Sequence, residues 1–119
     1  PAPVEPPDCF RCHMPSRRFI NRMSNRNGNA GRPFHKCIVY KKFLGFADDR
    51  GNNPNNPPCG CGVSSKAQVA GRESGNPGGL HYVCKLGICD FYAVDLGEDQ
   101  RQVTLDDEMG NLLARLRLV

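Results

Sequence analysis

The spacing of its cysteines constrains this chain more than any other feature. Seven cysteines occur in 119 residues, and two close pairs, Cys9-x-x-Cys12 and Cys59-x-Cys61, each place two thiols on one short turn. A tetrahedral metal ion accepts both thiols of such a turn, whereas a disulfide across so few residues is strained. Seven is also an odd number for a disulfide framework. The spacing therefore favours zinc, and with it a reducing compartment, nuclear or cytosolic, with secretion as the minor alternative.

The composition gives a second reason to expect metal. The chain is 39% hydrophobic, has no Trp, and contains 13 Gly and 10 Pro. Each half would hold about 45 residues, which is near the lower limit for a fold kept together by its core alone. Small domains of this kind need an additional source of stability, such as a structural metal. No apolar run approaches the roughly 20 residues that cross a bilayer, so no membrane partner is expected.

An internal repeat organises the chain. When two segments are aligned on their third cysteine, each carries Asn eight residues and Gly six residues before it, a cysteine pair further upstream, and an aromatic-rich stretch ending in Asp downstream. Such agreement in separate places indicates a duplicated unit. The matching residues are Asn29, Gly31, Cys37 and Asp48 in the first copy and Asn76, Gly78, Cys84 and Asp95 in the second.

The repeat predicts a small β-rich fold of two tandem antiparallel sheets. Asn-x-Gly is turn chemistry, and the flanking segments are rich in aromatic and β-branched residues, as strands require. The expected divisions are a flexible Pro-rich lead-in (1–8), a first finger (9–50), a linker (51–58), a second finger (59–95), and a linker with a helix (96–119). The expected strands are 18–21, 34–40, 66–70, 80–85 and 89–94.

The tail predicts an amphipathic helix. Thr104 is expected to cap it, with acidic residues in the first turn facing the positive end of the helix dipole. Its apolar residues fall on one helical face: Leu105, Met109, Leu112, Leu113 and Leu116. Two interpretations follow. Either the helix packs on the second finger, or residues 104–118 dock a protein partner or a second copy.

Two zinc ions are expected. The second finger supplies a complete ligand set of four thiols, which leaves no open position and argues against hydrolytic chemistry: Cys59, Cys61, Cys84 and Cys89. The first finger supplies Cys9, Cys12 and Cys37, but Lys41 stands at about the place of the fourth cysteine. Its fourth ligand is predicted to be His35, with His13 or no residue as the alternatives. His81 is expected to be a packed or stacking ring.

These motifs resemble the GRF-type zinc finger. The first copy has Asn29 and the run Gly31-Arg32-Pro33-Phe34, and the second has Asn76, Gly78, Tyr82, Phe91 and Tyr92 around its cysteines. Gly79 replaces the family's Arg in the second copy. The resemblance implies a claw-shaped antiparallel sheet in each finger, with a basic, aromatic-lined groove. It also implies binding of single-stranded DNA, since similar fingers are appended to topoisomerases, glycosylases and abasic endonucleases.

The residues of the first finger favour the same function. Residues 9–50 carry ten lysines and arginines against Asp48 and Asp49, and the cations alternate with aromatic side chains. Charges that follow a phosphate backbone, together with rings that stack on bases, are typical of single-strand binding with little sequence preference. We expect DNA, with RNA possible, and no enzyme activity. The predicted contacts are Arg17, Arg18, Arg22, Arg26, Arg32, Phe34, Lys36, Lys41 and Lys42. The alternative function is a protein-interaction adaptor, secreted or host-targeted, that uses the C-terminal helix.

Overall fold

The computed structural model describes residues 8–9, 11–22, 29–71 and 74–119. They form two three-stranded antiparallel sheets followed by one helix, which confirms the predicted fold class. Each sheet is a meander in which the strands pair in chain order. The first sheet contains β1 (Ser16–Ile20), β2 (Pro33–Cys37) and β3 (Phe43–Phe46). The second contains β4 (Lys66–Val69), β5 (Leu80–Val83) and β6 (Tyr92–Val94), and α1 (Asp107–Arg115) follows it.

The Asn-x-Gly turn has the same geometry in both sheets. Gly31 and Gly78 adopt φ angles of 69° and 79°, a region that glycine enters without steric cost. The amide of the next residue donates to the asparagine carbonyl at 3.0 Å in both turns, Arg32 to Asn29 and Gly79 to Asn76. The repeat read from the sequence is therefore also a repeat of backbone conformation.

The strand boundaries differ from the predicted ones where the metal ligands begin. The strand expected over 34–40 ends at Cys37, because residues 38–40 form a turn that carries the chain around the thiol. The aromatic stretch after this turn forms β3, which pairs with β2. The sequence shows this stretch as aromatic-rich, but the expected strands do not include it.

Cysteines make up most of the apolar interior. Seven hydrophobic residues are buried among the described ones, and four of them are cysteines. The others are Leu44, Ala67 and Val119. Burial of apolar surface stabilises a fold roughly in proportion to area, so an interior of this kind contributes little by itself.

Residues 51–58, expected to be a linker, pack against the second sheet. Gly51 is buried and accepts hydrogen bonds from the Ala67 amide and the Asn56 side chain, both at 2.9 Å. Asn56 also donates to the carbonyl of Ser65 at 2.9 Å. Gly51 adopts φ +79°, and a Cβ added there would overlap the carbonyl oxygen of Ala67. This close approach requires glycine.

A partly buried carboxylate joins the two repeats. Asp48, just after β3, accepts hydrogen bonds from the Arg32 guanidinium at 2.7 and 3.1 Å, and its carboxylate lies 3.1 Å from the Lys66 ammonium of β4. The Arg32 and Lys66 side chains are 4% and 1% exposed. Burial lowers the pKa of Lys66 to about 8, although Asp48 opposes the shift. Burial would raise the pKa of Asp48, but the two cations outweigh it and lower that pKa.

The C-terminal helix begins later than predicted. Asp106, not Thr104, is the N-cap, and its carboxylate accepts from the Met109 amide at 2.8 Å. Thr104 is unavailable because residues 103–105 pair with the second repeat: the Leu80 amide donates to Val103, and the Leu105 amide donates to Gly78, each at 2.8 Å. The tail is therefore attached to the second repeat.

The helix leaves part of its apolar face in solvent. Met109, Leu112 and Leu116 are 44%, 41% and 59% exposed. No residue of α1 is fully buried. Within the part of the chain that the structure describes, no helix is long and apolar enough to cross a membrane.

The carboxylate between the repeats gives a stability prediction. In Asp48→Asn, Arg32 and Lys66 would stay buried without the carboxylate that pairs with both of them, so we expect a loss of roughly 3–5 kcal/mol in unfolding free energy. Denaturant titration of the zinc-loaded protein would measure it. Glu98→Gln, which removes the same charge from an exposed turn, is the matched control and should change stability by less than about 0.5 kcal/mol. Equal behaviour of the two variants would contradict the assignment.

Candidate functional site

The four cysteines of the second repeat form one cluster. The sulfurs of Cys59, Cys61, Cys84 and Cys89 all lie within 4.8 Å of one another. Zinc–sulfur bonds of about 2.3 Å in a tetrahedron place sulfurs about 3.8 Å apart, and the Cys61 and Cys84 sulfurs are separated by 3.8 Å. The donor set and its spacing therefore fit a closed structural zinc site.

The turns that carry the cysteine pairs are alike in the two repeats. Cys59 receives the amide of Cys61 on its sulfur at 3.4 Å, and Cys9 receives the amide of Arg11 at 3.4 Å. In both turns the first cysteine donates its own amide, at 2.9 Å, to a carbonyl four or five residues later: Val63 for Cys59 and Met14 for Cys9. Amides that point at sulfur stabilise the thiolate form, which is the form that binds metal.

The first cluster contains three thiols. Cys9, Cys12 and Cys37 lie within 4.8 Å of one another, and the Cys12 and Cys37 sulfurs are 3.6 Å apart. This spacing also fits zinc. The amide of Tyr40 donates to the Cys37 sulfur at 3.4 Å. Cys9 and Cys37 are fully buried, while Cys12 is partly exposed.

Neither predicted histidine belongs to the first cluster. His13 is exposed on the turn, where it adopts φ 61°. His35 is 1% exposed and shares the buried side of β2 with Cys37, yet its ring lies outside the group of thiols. Burial, and then the charge of Arg18, lower the pKa of His35. The structure thus places both rings without showing either as a ligand.

The buried ring of His35 has an unpartnered nitrogen, and the repeat explains why. Its counterpart in the second repeat, Tyr82, donates its hydroxyl to Asp95 at 3.0 Å. In the first repeat the equivalent acid is Asp48, which is held by Arg32 and Lys66. His35 Nε2 has no hydrogen-bond partner among the described residues.

One face of the first sheet carries a row of phenylalanines. Phe19 of β1 pairs with Phe34 of β2, and their rings stack with centroids 5.7 Å apart. Phe34 and Phe43 are 5.8 Å apart, and Phe43 meets Phe46 edge-on at 5.0 Å. Phe19 and Phe43 are 39% and 42% exposed. We call these four residues the phenylalanine row.

A β-bulge completes the phenylalanine row. Residues three apart on a regular strand point to opposite faces, yet Phe43 and Phe46 of β3 lie on one face. The register between β2 and β3 shifts between His35 and Lys36, so that Leu44 is passed over. Leu44 is buried on the other side of the sheet. The shift brings both phenylalanines to the same side.

The predicted cations divide between several places. Arg17 and Lys36 pair across β1 and β2 on the face of the phenylalanine row, and the Lys36 ammonium lies 5.7 Å from the Phe19 ring centroid. Arg18 lies on the opposite face, near His35. Three further predicted cations lie in segments next to the strands. Arg22 and Lys41 are exposed, and Lys42 is partly buried. Arg26 lies outside the described residues.

Arg32, a predicted contact, is an interior residue in the structure. It is 5% exposed, pairs with Asp48, and donates to the Asn29 side chain at 3.1 Å. Its guanidinium carbon lies 3.6 Å from the centroid of the Phe46 ring. These contacts use the polar edges of the guanidinium and one of its faces. We therefore assign Arg32 to the support of the phenylalanine row, outside any binding surface.

The sequence predicts Phe34 as a contact and places Phe19 and Phe43 among the rings that alternate with the cations, but it does not bring the four phenylalanines together as one row. Phe19, Phe43 and Phe46 are visible in the sequence as aromatic residues near cations, but the shared face depends on strand register and on the bulge. In the second repeat the corresponding rings are His81 and Tyr92, which stack at 5.1 Å. This agrees with the stacking ring expected for His81.

Two cysteine clusters on two like sheets define a tandem zinc-ribbon module. The model of the family of GRF-like zinc ribbon domains matches residues 6–50, the segment that contains the first repeat and its three-cysteine cluster. The match falls on the repeat with three thiols, while the four-thiol repeat lies beyond it. No curated protein and no solved structure matches the chain significantly.

Zinc analysis tests the clusters. We expect two ions per chain, and one ion in Cys84→Ser and in Cys12→Ser, because each variant removes a thiol from a different cluster.

Chelation should unfold the second sheet, since zinc ligation supplies much of the folding free energy of small zinc modules. Amide dispersion in NMR spectra would report the loss, and added zinc should restore it. Unchanged spectra after complete zinc removal would contradict this prediction.

Proposed function

We propose that this zinc-ribbon module binds single-stranded nucleic acid, DNA in the first place, through the phenylalanine row of its first sheet. The proposal rests on one observation: four phenylalanines lie side by side on a half-exposed sheet face that also carries Arg17 and Lys36. Aromatic faces stack on any base, and cations beside them follow the phosphate backbone. The resemblance of the first repeat to GRF-type fingers supports the same function.

The proposed surface favours single strands over duplexes. A ring stacks on a base only when the base is not covered by its neighbours, as in a single strand. The rings and cations approach base faces and phosphates, and they offer few groups that would read base edges. Low sequence preference is expected. The role proposed is binding, without catalysis, and RNA stays a second possible ligand.

Ring removal tests the proposal directly. Phe19→Ala removes an edge ring of the row and should weaken binding to a labelled oligothymidine by roughly 5- to 150-fold, because stacking contributes about 1–3 kcal/mol per base. Fluorescence anisotropy would measure affinity. Tyr92→Ala, which removes an exposed ring of the second repeat, is the matched control. Equal affinity of both variants and the parent, with zinc content unchanged, would disprove the assignment.

Salt dependence tests the cations. Lys36→Ala should reduce the slope of log affinity against log salt by about 0.7, the value for one lost phosphate contact on a single strand. Arg101→Ala, which removes an exposed cation from the second half, should leave the slope unchanged. A slope that is the same in all three proteins would place the phosphate contacts elsewhere.

One observation favours the second candidate function, a protein-interaction adaptor. The helix residues Met109, Leu112 and Leu116 expose apolar surface beside one another. Association through this strip would respond little to salt, because it would release few counterions. If Leu112→Ser abolished binding of a protein partner and left nucleic-acid affinity unchanged, this result would support the adaptor function.

A further inference from the structure

The two cysteine clusters of this chain differ in one ligand. The second has four thiols within 4.8 Å of one another, and the first has three. All seven cysteines and all three histidines lie in the parts of the chain that the structure describes. Within those parts, no fourth Cys, His, Asp or Glu joins the first cluster at this distance. Among the described residues, the two clusters therefore offer a metal ion different numbers of ligands.

The backbone of the first repeat shows why the fourth ligand is missing. In the second repeat the loop after Cys84 turns at Gly87, φ 70°, and returns Cys89 to the cluster. In the first repeat the loop after Cys37 turns at Lys41, φ 56°, and the Cys37 amide closes it by donating to the Lys42 carbonyl at 2.8 Å. The chain enters β3 at Phe43 without returning a ligand.

The three thiols remain suited to a metal ion. The amides of Arg11 and Tyr40 each donate to a sulfur, those of Cys9 and Cys37, at 3.4 Å, and this favours thiolates. Those two cysteines are fully buried and Cys12 is partly exposed. Cys12 is thus the side from which a ligand in solution would approach a metal held by the three sulfurs. Sites with three protein ligands keep a position for an external ligand.

We propose that the first ribbon holds its metal through three thiolates and keeps the fourth position for a small thiol from solution. Thiolate is the donor that a thiolate-rich, soft site prefers. The incoming thiol binds as thiolate and releases its proton to solvent, with no change in oxidation state. The inference rests on the metal assignment and is independent of nucleic-acid binding.

Cobalt substitution tests the proposal, because the absorption of Co²⁺ reports its ligands. The protein would be reduced with a phosphine, so that no thiol is added, and loaded with two equivalents of Co²⁺. The spectrum of the first site is the difference between the parent and Cys12→Ser. We expect 2-mercaptoethanol to increase sulfur-to-cobalt charge-transfer absorption in this difference spectrum. The spectrum of the second site, measured in Cys12→Ser, should not change.

The variant His35→Phe separates the open site from a histidine-closed one. Because His35 Nε2 has no partner among the described residues, a ring of similar size should preserve the fold. We expect this variant to bind two Co²⁺ with the parent spectrum and the same response to thiol. Loss of one Co²⁺, or a shifted spectrum, would make His35 the fourth ligand and overturn the proposal. A first site that ignores thiol, or binds no Co²⁺, would overturn it too.

Discussion

Sulfur ligation of metal is the interaction on which the rest of this structure depends. Four of the seven buried hydrophobic residues among those described are cysteines, so the interior of each ribbon is largely its ligand cluster. Zinc binding supplies folding free energy directly to small domains of this kind. The sheets can then leave their side chains in solvent: in β1, every residue after Ser16 is exposed. The phenylalanine row can lie at the surface because the metal clusters, and not the burial of these rings, stabilise the fold.

The features that the sequence could predict are those set by local chemistry and by spacing along the chain. The cysteine pairs, the two Asn-x-Gly turns and the amphipathic tail follow from residue type and interval, and the fold class is confirmed. The predicted helix start is wrong because Thr104 pairs with the second repeat. This tertiary contact makes Asp106 the N-cap residue of the helix. The interval 51–58 lacks apolar residues, which predicts a linker, and its polar groups form hydrogen bonds with the backbone of Ser65 and Ala67 in the second repeat.

The candidate site was less predictable, because it depends on register and burial. Arg32 and Lys36 are both cations near phenylalanines in the sequence, yet one is buried against Asp48 and the other lies on the sheet face. A one-residue shift in the register between β2 and β3 determines which phenylalanine rings lie on the same side of the sheet. Such a shift cannot be predicted from composition. The sequence shows that the first cluster lacks a fourth cysteine. Whether a histidine takes the place of that cysteine depends on the position of the histidine ring in the fold.

The partly buried carboxylate of Asp48 has a consequence for separating the two ribbons. It lies at the end of the first ribbon and neutralises Lys66, which opens the first strand of the second. Gly87, in the ligand loop of the second ribbon, also rests against the backbone of Leu44 and Gly45. A fragment that contains only one ribbon would lose these contacts. In a fragment of the second ribbon, Lys66 would lack the carboxylate of Asp48. The two ribbons are therefore expected to be more stable in one chain than as separate fragments.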